Sequence, residues 1–271
     1  MKLMSRFIGF VVAALLLMTS ACKSEFEKIR TSGDPEAVYK KAFEYYDNGD
    51  YQKAQTLLEL VISNYRGQKE AEEIYYRYAY TYYHTGQYLL AAYYFNNFAQ
   101  TYSTSPYREE ADFMNAYSNY KLSPTFRLDQ TYTEKAIEGL QLFINTYPNS
   151  SRVEESNQLI EELRAKLERK AYEEAKLYFD LRQYQASIHS FDNLLKDYPD
   201  TDNAEEIRYM IIRANYLLAE NSILDKQVER YRSTLELSKE YLERFSEGEY
   251  AKEVATIQSN TEKKLNQIDN V

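Results

Sequence analysis

The chain has 271 residues, a formal charge of −9, 28% charged side chains, 7 glycines and 5 prolines, which suits helices joined by short turns and argues against turn-rich sheets. An acidic chain without basic blocks is unsuited to nucleic acid, whose affinity rests on phosphate neutralisation. A single cysteine, Cys22, excludes an internal disulfide and a cysteine metal site.

Lys2 and Arg6 precede an uncharged run from Phe7 to Met18, and the small residues Thr19, Ser20 and Ala21 follow. This order of basic, apolar and small residues is that of a secretory signal peptide over residues 1–21. The apolar run spans about 18 Å as a helix, short of a bilayer core of about 30 Å, so it reads as an export signal and not as a permanent span. Cys22 stands at the cleavage position and resembles the cysteine of the bacterial lipobox, with Thr19 where that pattern usually has leucine. A thioether-linked diacylglycerol needs a sulfur nucleophile, so the resemblance makes Cys22 the lipid-attachment residue. Several acyl chains, at about 0.8 kcal/mol per buried methylene, form a stable anchor in a lipid membrane. In the lipobox pattern an aspartate after the cysteine marks retention in the inner membrane. Lys23 stands there instead, which implies the outer membrane, facing the periplasm. Residues 22–33 read as a polar linker behind the lipid. Loss of the two cations Lys2 and Arg6 with the signal takes the formal charge to −11.

From residue 34 onward a pattern recurs. Gly49-Asp50-Tyr51 with Ala54 is repeated as Gly86-Gln87-Tyr88 with Ala91. Fourteen residues after Tyr51, Tyr88, Thr133, Tyr184 and Tyr231 stand Tyr65, Tyr102, Tyr147, Tyr198 and Phe245, all aromatic. Eight residues further stand Glu73, Glu110, Glu155, Glu206 and Glu253. Agreement of five registers at two offsets marks a repeat array. Each unit reads as a helix pair: Gly49 and Gly86 supply a tight turn, and Ala54 and Ala91 let the second helix approach the first. Tyr147-Pro148-Asn149-Ser150 and Tyr198-Pro199-Asp200-Thr201 end one helix and offer caps for the next. The glutamates fall in the first turn of the helix that follows, where the macrodipole favours negative charge.

These features resemble the tetratricopeptide repeat, whose unit is normally about 34 residues. Spacings of 37, 45, 51 and 47 between the tyrosine positions place insertions at "KLSPTFRLDQTY", in a long helical run from Ser151 to Leu181, and at "ENSILDKQVER". The expectation is an all-α, tetratricopeptide-like helical-hairpin solenoid of about five repeats, closed by a C-terminal helix near Tyr250 to Leu265. An N-terminal half covers 34–123 and a C-terminal half 124–271.

In tetratricopeptide proteins the first helix of each pair lines the concave face. Three such helices carry aromatics at i, i+4, i+7: Tyr39, Phe43 and Tyr46; Tyr76, Tyr80 and Tyr83; Phe113, Tyr117 and Tyr120. Rings at helical spacing fit a core as well as a groove, and the residues alone leave both open. The groove reading rests on the hydroxyls, since tyrosine offers rigid amphipathic contact area and a buried tyrosine must find a partner. The last two sets, Tyr172, Lys176 and Phe179 and then Tyr209, Arg213 and Tyr216, replace the middle ring by a cation. His84 and His189 belong to no metal-ligand pattern, and the carboxylates sit at helix starts and on solvated faces. No catalytic residue, metal site or cofactor is expected, and the chain does not read as an enzyme.

The lipobox, the five repeats, "DQTYTEKAIEGLQLFINTYPNS" and "AKLYFDLRQYQASIHSFDNLLKDYPDT" together resemble the BamD family of outer-membrane assembly lipoproteins. The resemblance implies a non-enzymatic subunit of the machine that folds β-barrel proteins into the outer membrane. Its C-terminal repeats, here Tyr172 to Phe245, would dock on the POTRA domains of a BamA-like barrel protein. Its N-terminal repeats, here the rings from Tyr39 to Tyr120, would receive unfolded β-barrel substrates. Another periplasmic tetratricopeptide lipoprotein, associated with peptidoglycan or secretion, and a glycan-binding lipoprotein are the competing readings.

Overall fold

Turn chemistry sets the hairpins. In the computed structural model, which describes residues 24–269, the described residues form twelve α-helices and no strand. These are α1 (Glu25–Arg30), α2 (Pro35–Asp47), α3 (Tyr51–Val61), α4 (Glu70–His84), α5 (Tyr88–Thr101), α6 (Arg108–Leu122), α7 (Thr131–Thr146), α8 (Val153–Asp180), α9 (Tyr184–Asp197), α10 (Ala204–Glu220), α11 (Leu224–Arg244) and α12 (Ala251–Asp269). Five hairpins, α2/α3 to α10/α11, and the closing helix α12 match the expected repeats. The signal segment and Cys22 lie outside the described residues. The linker expectation is corrected at α1, a two-turn helix whose Phe26 meets Tyr45 at 6.0 Å and whose Glu25 pairs with Lys41 at 2.7 Å.

Residues 24–124, together with 130–160, form one compact unit, and 125–129 with 161–269 form the other. In the first unit, α2 begins on Pro35, with the Asp34 carboxylate accepting from the Glu36 and Ala37 N–H groups. It ends on Gly49, at φ +81°, where the Gly49 and Asp50 N–H groups return to the carbonyls of Tyr46 and Tyr45. Gly86, at φ +75°, closes α4 in the same way. Three residues after the recurrent positions Tyr51, Tyr88, Thr133, Tyr184 and Tyr231 stands a fully buried small residue: Ala54, Ala91, Ala136, Ser187 and Thr234. Where it is polar its hydroxyl is used, Ser187 donating to the Ala175 carbonyl and Thr234 to that of Arg230, both at 2.9 Å. Leu57, Leu58, Ile74, Phe95 and Phe98 fill the space between the helices of the first two hairpins. Each such side chain contributes roughly 1.5–3 kcal/mol.

The second unit gathers Phe191, Leu194, Ile207, Ile212 and Val254 into its main core. Tyr231, Ala219 and Leu265 form a smaller cluster beside α12. The three insertions take different forms. The first is the segment 123–130 between α6 and α7, pinned where Thr133 donates to Gln130 at 2.7 Å. The second is absorbed in the 28 residues of α8. The third lengthens α10 and α11 around a short turn at 221–223.

In the fourth hairpin the glycine position of the turn is taken by Arg182, at φ +60°, the only non-glycine with positive φ among the described residues. Its N–H and that of Gln183 return to Phe179 and Tyr178, as at Gly49 and Gly86. An L-residue in this conformation costs roughly 1–2 kcal/mol. Arg182→Gly is therefore expected to stabilise the second unit by about 1 kcal/mol, read as a rise in the urea midpoint without a change in slope.

Candidate functional site

The i, i+4, i+7 spacing puts the predicted rings on one side of α2, α4 and α6 in the first unit, and the structure joins them into one network. Tyr39 lies against Phe43 with ring centroids 4.4 Å apart. The Arg77 guanidinium sits over both Phe43 (4.3 Å) and Tyr46 (5.0 Å), while it binds Asp47 at 2.5 Å and Glu73 at 3.0 Å. That cation joins the first hairpin to the second through charge and ring face together. Tyr46 then meets His84, which stacks on Tyr51 at 4.1 Å and on Tyr80 at 5.7 Å. Tyr80 meets Tyr76 at 5.0 Å and Tyr83 at 6.4 Å, and Tyr76 stacks on Tyr107 at 4.5 Å. Tyr83 reaches Tyr117, which stacks on both Phe113 and Tyr120 at 5.5 Å. All nine predicted rings are in the network.

Two positions are corrected. Phe113 is 1% exposed, packed on Phe143 and covered by the Arg152 guanidinium at 4.2 Å, so it is core and not groove wall. In the second unit Tyr209 is 6% exposed. Nor are the tyrosine hydroxyls uniformly free for solvent. Tyr80 donates to Glu110 at 2.7 Å, Tyr172 to Glu206 at 2.5 Å, and Tyr209 to Glu253. Three of the five recurrent glutamates thus accept a phenol from the preceding hairpin. The helix-dipole reading of these glutamates explains where they stand, and the phenols explain their spacing. Tyr39, Phe43, Tyr46, Tyr76, Tyr83, Tyr117 and Tyr120 stay half-buried, their packed faces fixed and an edge or face left accessible.

Arg77, Arg152, His84 and Tyr107 belong to this surface and escaped the repeat pattern, and Tyr51, a register position of the repeat, joins them through its stack on His84. Arg77 carried a legible sign, since it follows Glu73 at the i, i+4 spacing of a helical ion pair. Burial among the rings lowers the His84 imidazole below its ordinary value, and it raises the Tyr46 phenol well above its own. The surface offers stacked ring faces and two fixed guanidinia. Among the described residues no group of three or more His, Cys, Asp or Glu is placed to hold a metal ion.

The second predicted set is not one surface. Tyr209, Arg213 and Tyr216 share a cavity of about 640 Å³ with Lys252, Glu253 and Ile257. Tyr172 borders a separate cavity of about 430 Å³ beside Glu206 and Arg169. Lys176 borders a third, of about 480 Å³, with Phe126, Lys170 and Leu177. Phe179 lies under the Arg213 guanidinium at 5.2 Å. Tyr172 and Tyr209 are thereby ties between hairpins; Lys176 and Arg213 are exposed, Tyr172, Phe179 and Tyr216 half-buried, and Tyr209 buried.

Helical hairpins with small-residue contacts, glycine turns and an aromatic first-helix face define a tetratricopeptide-type repeat protein. A family profile described as outer membrane lipoprotein, YfiO, matches residues 31–230. The chain belongs to this outer membrane lipoprotein family, which is of the BamD type. Among solved structures it is similar to the TPR2AB domain of yeast Sti1 in its pHSP90 complex, at 13% identity and TM-score 0.41, over 84% of this chain and 98% of that one. A kinesin-light-chain-type protein of Podospora anserina with nearly identical TPR-like repeats matches at 17% identity and TM-score 0.33, over 84% and 96%. The yeast histone chaperone Hif1 matches at 12% and 0.28, over 73% and 94%. No curated protein matches the sequence.

Burial and the bond to Asp112 at 2.8 Å push the Tyr147 phenol up to about 12; burial and Glu220 push that of Tyr216 up to about 12. An unfolded chain releases these protons near pH 10. Their contribution to stability is fully present below pH 10 and is lost as pH rises from 10 through 12. Far-UV circular dichroism should be lost in that window, together with the last part of the tyrosinate absorbance change. Full tyrosinate formation with the helices intact would contradict these hydroxyl assignments. Tyr80→Phe keeps the ring and removes the bond to Glu110. It should lower stability by about 1.5–3 kcal/mol in a denaturant titration, as expected for a hydrogen bond to a charged group.

Proposed function

We propose that this protein is a non-catalytic lipoprotein scaffold of the machinery that assembles and inserts β-barrel proteins into the outer membrane. Cys22 carries the acyl anchor, and the folded part faces the periplasm. The aromatic face of α2, α4 and α6 receives unfolded barrel polypeptide, and Lys176, Arg213 and Tyr216 of the second unit serve docking on the POTRA domains of a BamA-like barrel protein. The observation that carries this reading is the continuous ring surface in a member of an outer membrane lipoprotein family.

The physics of that surface supports an extended apolar and aromatic ligand. A transmembrane β-strand places a lipid-facing side chain at every second residue, many of them aromatic near its ends. Before insertion those side chains need temporary cover. Half-buried tyrosines give stacking area with little conformational freedom to lose, because ring neighbours already fix them. Arg77 and Arg152 each engage carboxylates while covering ring faces, so the surface offers apolar area with few uncompensated charges.

Affinity purification of the tagged protein from detergent-solubilised membranes tests the assignment. The expected result is co-recovery of a POTRA-bearing barrel protein in near-equal amount. Recovery of peptidoglycan-linked or secretion components without it would move the protein to another periplasmic adaptor role, with the same fold.

A further inference from the structure

From Thr85 to Tyr107 the sequence holds no Asp, Glu, Lys, Arg or His, in a chain that is 28% charged. This stretch is helix α5 with its flanking turns. Its inner side is core, with Ala91, Phe95 and Phe98 fully buried, so burial explains only half of the missing charge. Its outer side carries Leu89 at 56% exposure, Leu90 at 41% and Tyr93 at 58%. Leu89 and Tyr93 are four residues apart, one turn along a single face. A second helix of a hairpin normally turns charged residues outward, as α7 does with Glu134, Lys135 and Glu138, and α3 with Lys53 and Glu59. Yet those two helices also expose Leu60 (46%) and Leu142 (66%). The outer side of α5 is thus an apolar face with no charged side chain and no partner among the described residues.

We infer that this face of α5 is a second membrane contact, resting in the interfacial layer of the lipid surface to which the chain is anchored. The inference rests on Cys22 as the acylated residue. Only Lys23 and Ser24 separate Cys22 from the start of α1, a reach of about 10 Å. Helix α1 is itself fixed to α2 by the Glu25–Lys41 ion pair and the Phe26–Tyr45 contact. The first unit, and α5 with it, is therefore held at the bilayer with little slack. For a chain of net charge −9, most surfaces would have to desolvate carboxylates to approach lipid, and the charge-free face of α5 would not. Leucine with tyrosine is also the pairing that suits interfacial depth, the aliphatic chains reaching the acyl boundary and the phenol staying at the headgroups. The anchor supplies the local concentration, so three exposed side chains suffice where they would be too few for a protein free in solution.

With Cys22 acylated, a cysteine introduced at position 93 is the only free thiol of the mature chain. Tyr93→Cys, purified in acylated form, labelled with an environment-sensitive fluorophore and reconstituted in phosphatidylethanolamine–phosphatidylglycerol vesicles, gives the test. Lipid-chain nitroxides should quench the label, and its quenching by aqueous iodide should fall at least about twofold relative to the same label on unanchored protein, carrying Cys22→Ser, in buffer. A label that stays fully open to iodide and untouched by the lipid nitroxides, on protein anchored to the vesicles, overturns the inference. Protection seen in native membranes but not in these vesicles also overturns it, in favour of a protein partner. Intact mass of the N-terminal peptide reports the anchor separately: an unmodified Cys22 removes the tether and overturns the inference on that ground, whatever the label shows.

Discussion

A hydroxyl donated to a carboxylate on the neighbouring element is the interaction on which the order of these hairpins depends. A helical hairpin cannot bury its apolar sides alone, so a repeat protein is only as well ordered as the joints between its repeats. Apolar packing sets their closeness but is non-directional, and it leaves rotation and slippage cheap. Tyr80 on Glu110 fixes α4 against α6, while Tyr172 on Glu206 and Tyr209 on Glu253 fix α8, α10 and α12 within the second unit. A second set closes the three middle hairpins, each on itself. Ser105, Ser150 and Thr201 each accept from the N–H two residues on, and each donates to a glutamate of the first helix, Glu72, Glu109 and Glu168. All three stand three residues after the recurrent Tyr102, Tyr147 and Tyr198. Hydrogen bonds to a charged acceptor contribute roughly 1.5–3 kcal/mol each and have a preferred direction, so they select one register among many of similar burial.

The same bonds shape the ring surface. Tyr80, whose hydroxyl is tied to Glu110 and whose ring meets Tyr76, Tyr83 and His84, cannot rotate away, and the rings packed against it are ordered with it. Where the first hairpin has Phe43, which has no hydroxyl to give, Arg77 takes over the joint by binding Asp47 and lying on the ring. Arg152 plays the matching part over Phe113, bound to Glu110 at 2.8 Å. Stability and recognition therefore draw on the same side chains.

Much of this was legible from residue spacing. The five aromatic landing points, the glutamates eight residues on, and the glycines at 49 and 86 gave the hairpins, because each marks a backbone event with a fixed offset. Helix α1 was hidden, since "EFEKIR" is short and charged, and only Phe26 and Ile29 at i, i+3 hinted at a packed side. The turn at Arg182 was equally hidden, as nothing in an arginine announces a left-handed backbone. The division between groove and core was not legible either. Helical spacing assigns Phe113 and Tyr117 to one side, but a side broad enough to line a groove also packs against the next helix, and which ring is covered depends on Phe143 and Arg152 in other elements. His84 entered the ring network through stacking, which no metal-ligand spacing would reveal.

The most direct test of the ring surface as a polypeptide-binding site is photo-crosslinking from position 83, with a benzophenone side chain in place of Tyr83, in growing cells. Tyr83 is half-buried, in ring contact with Tyr80, Tyr88 and Tyr117, and gives no hydrogen bond to a glutamate. The prediction is a ladder of adducts with unfolded outer-membrane barrel proteins, which shortens when barrel synthesis is stopped. Adducts confined to one folded partner, or none while the protein remains folded and anchored, would contradict it.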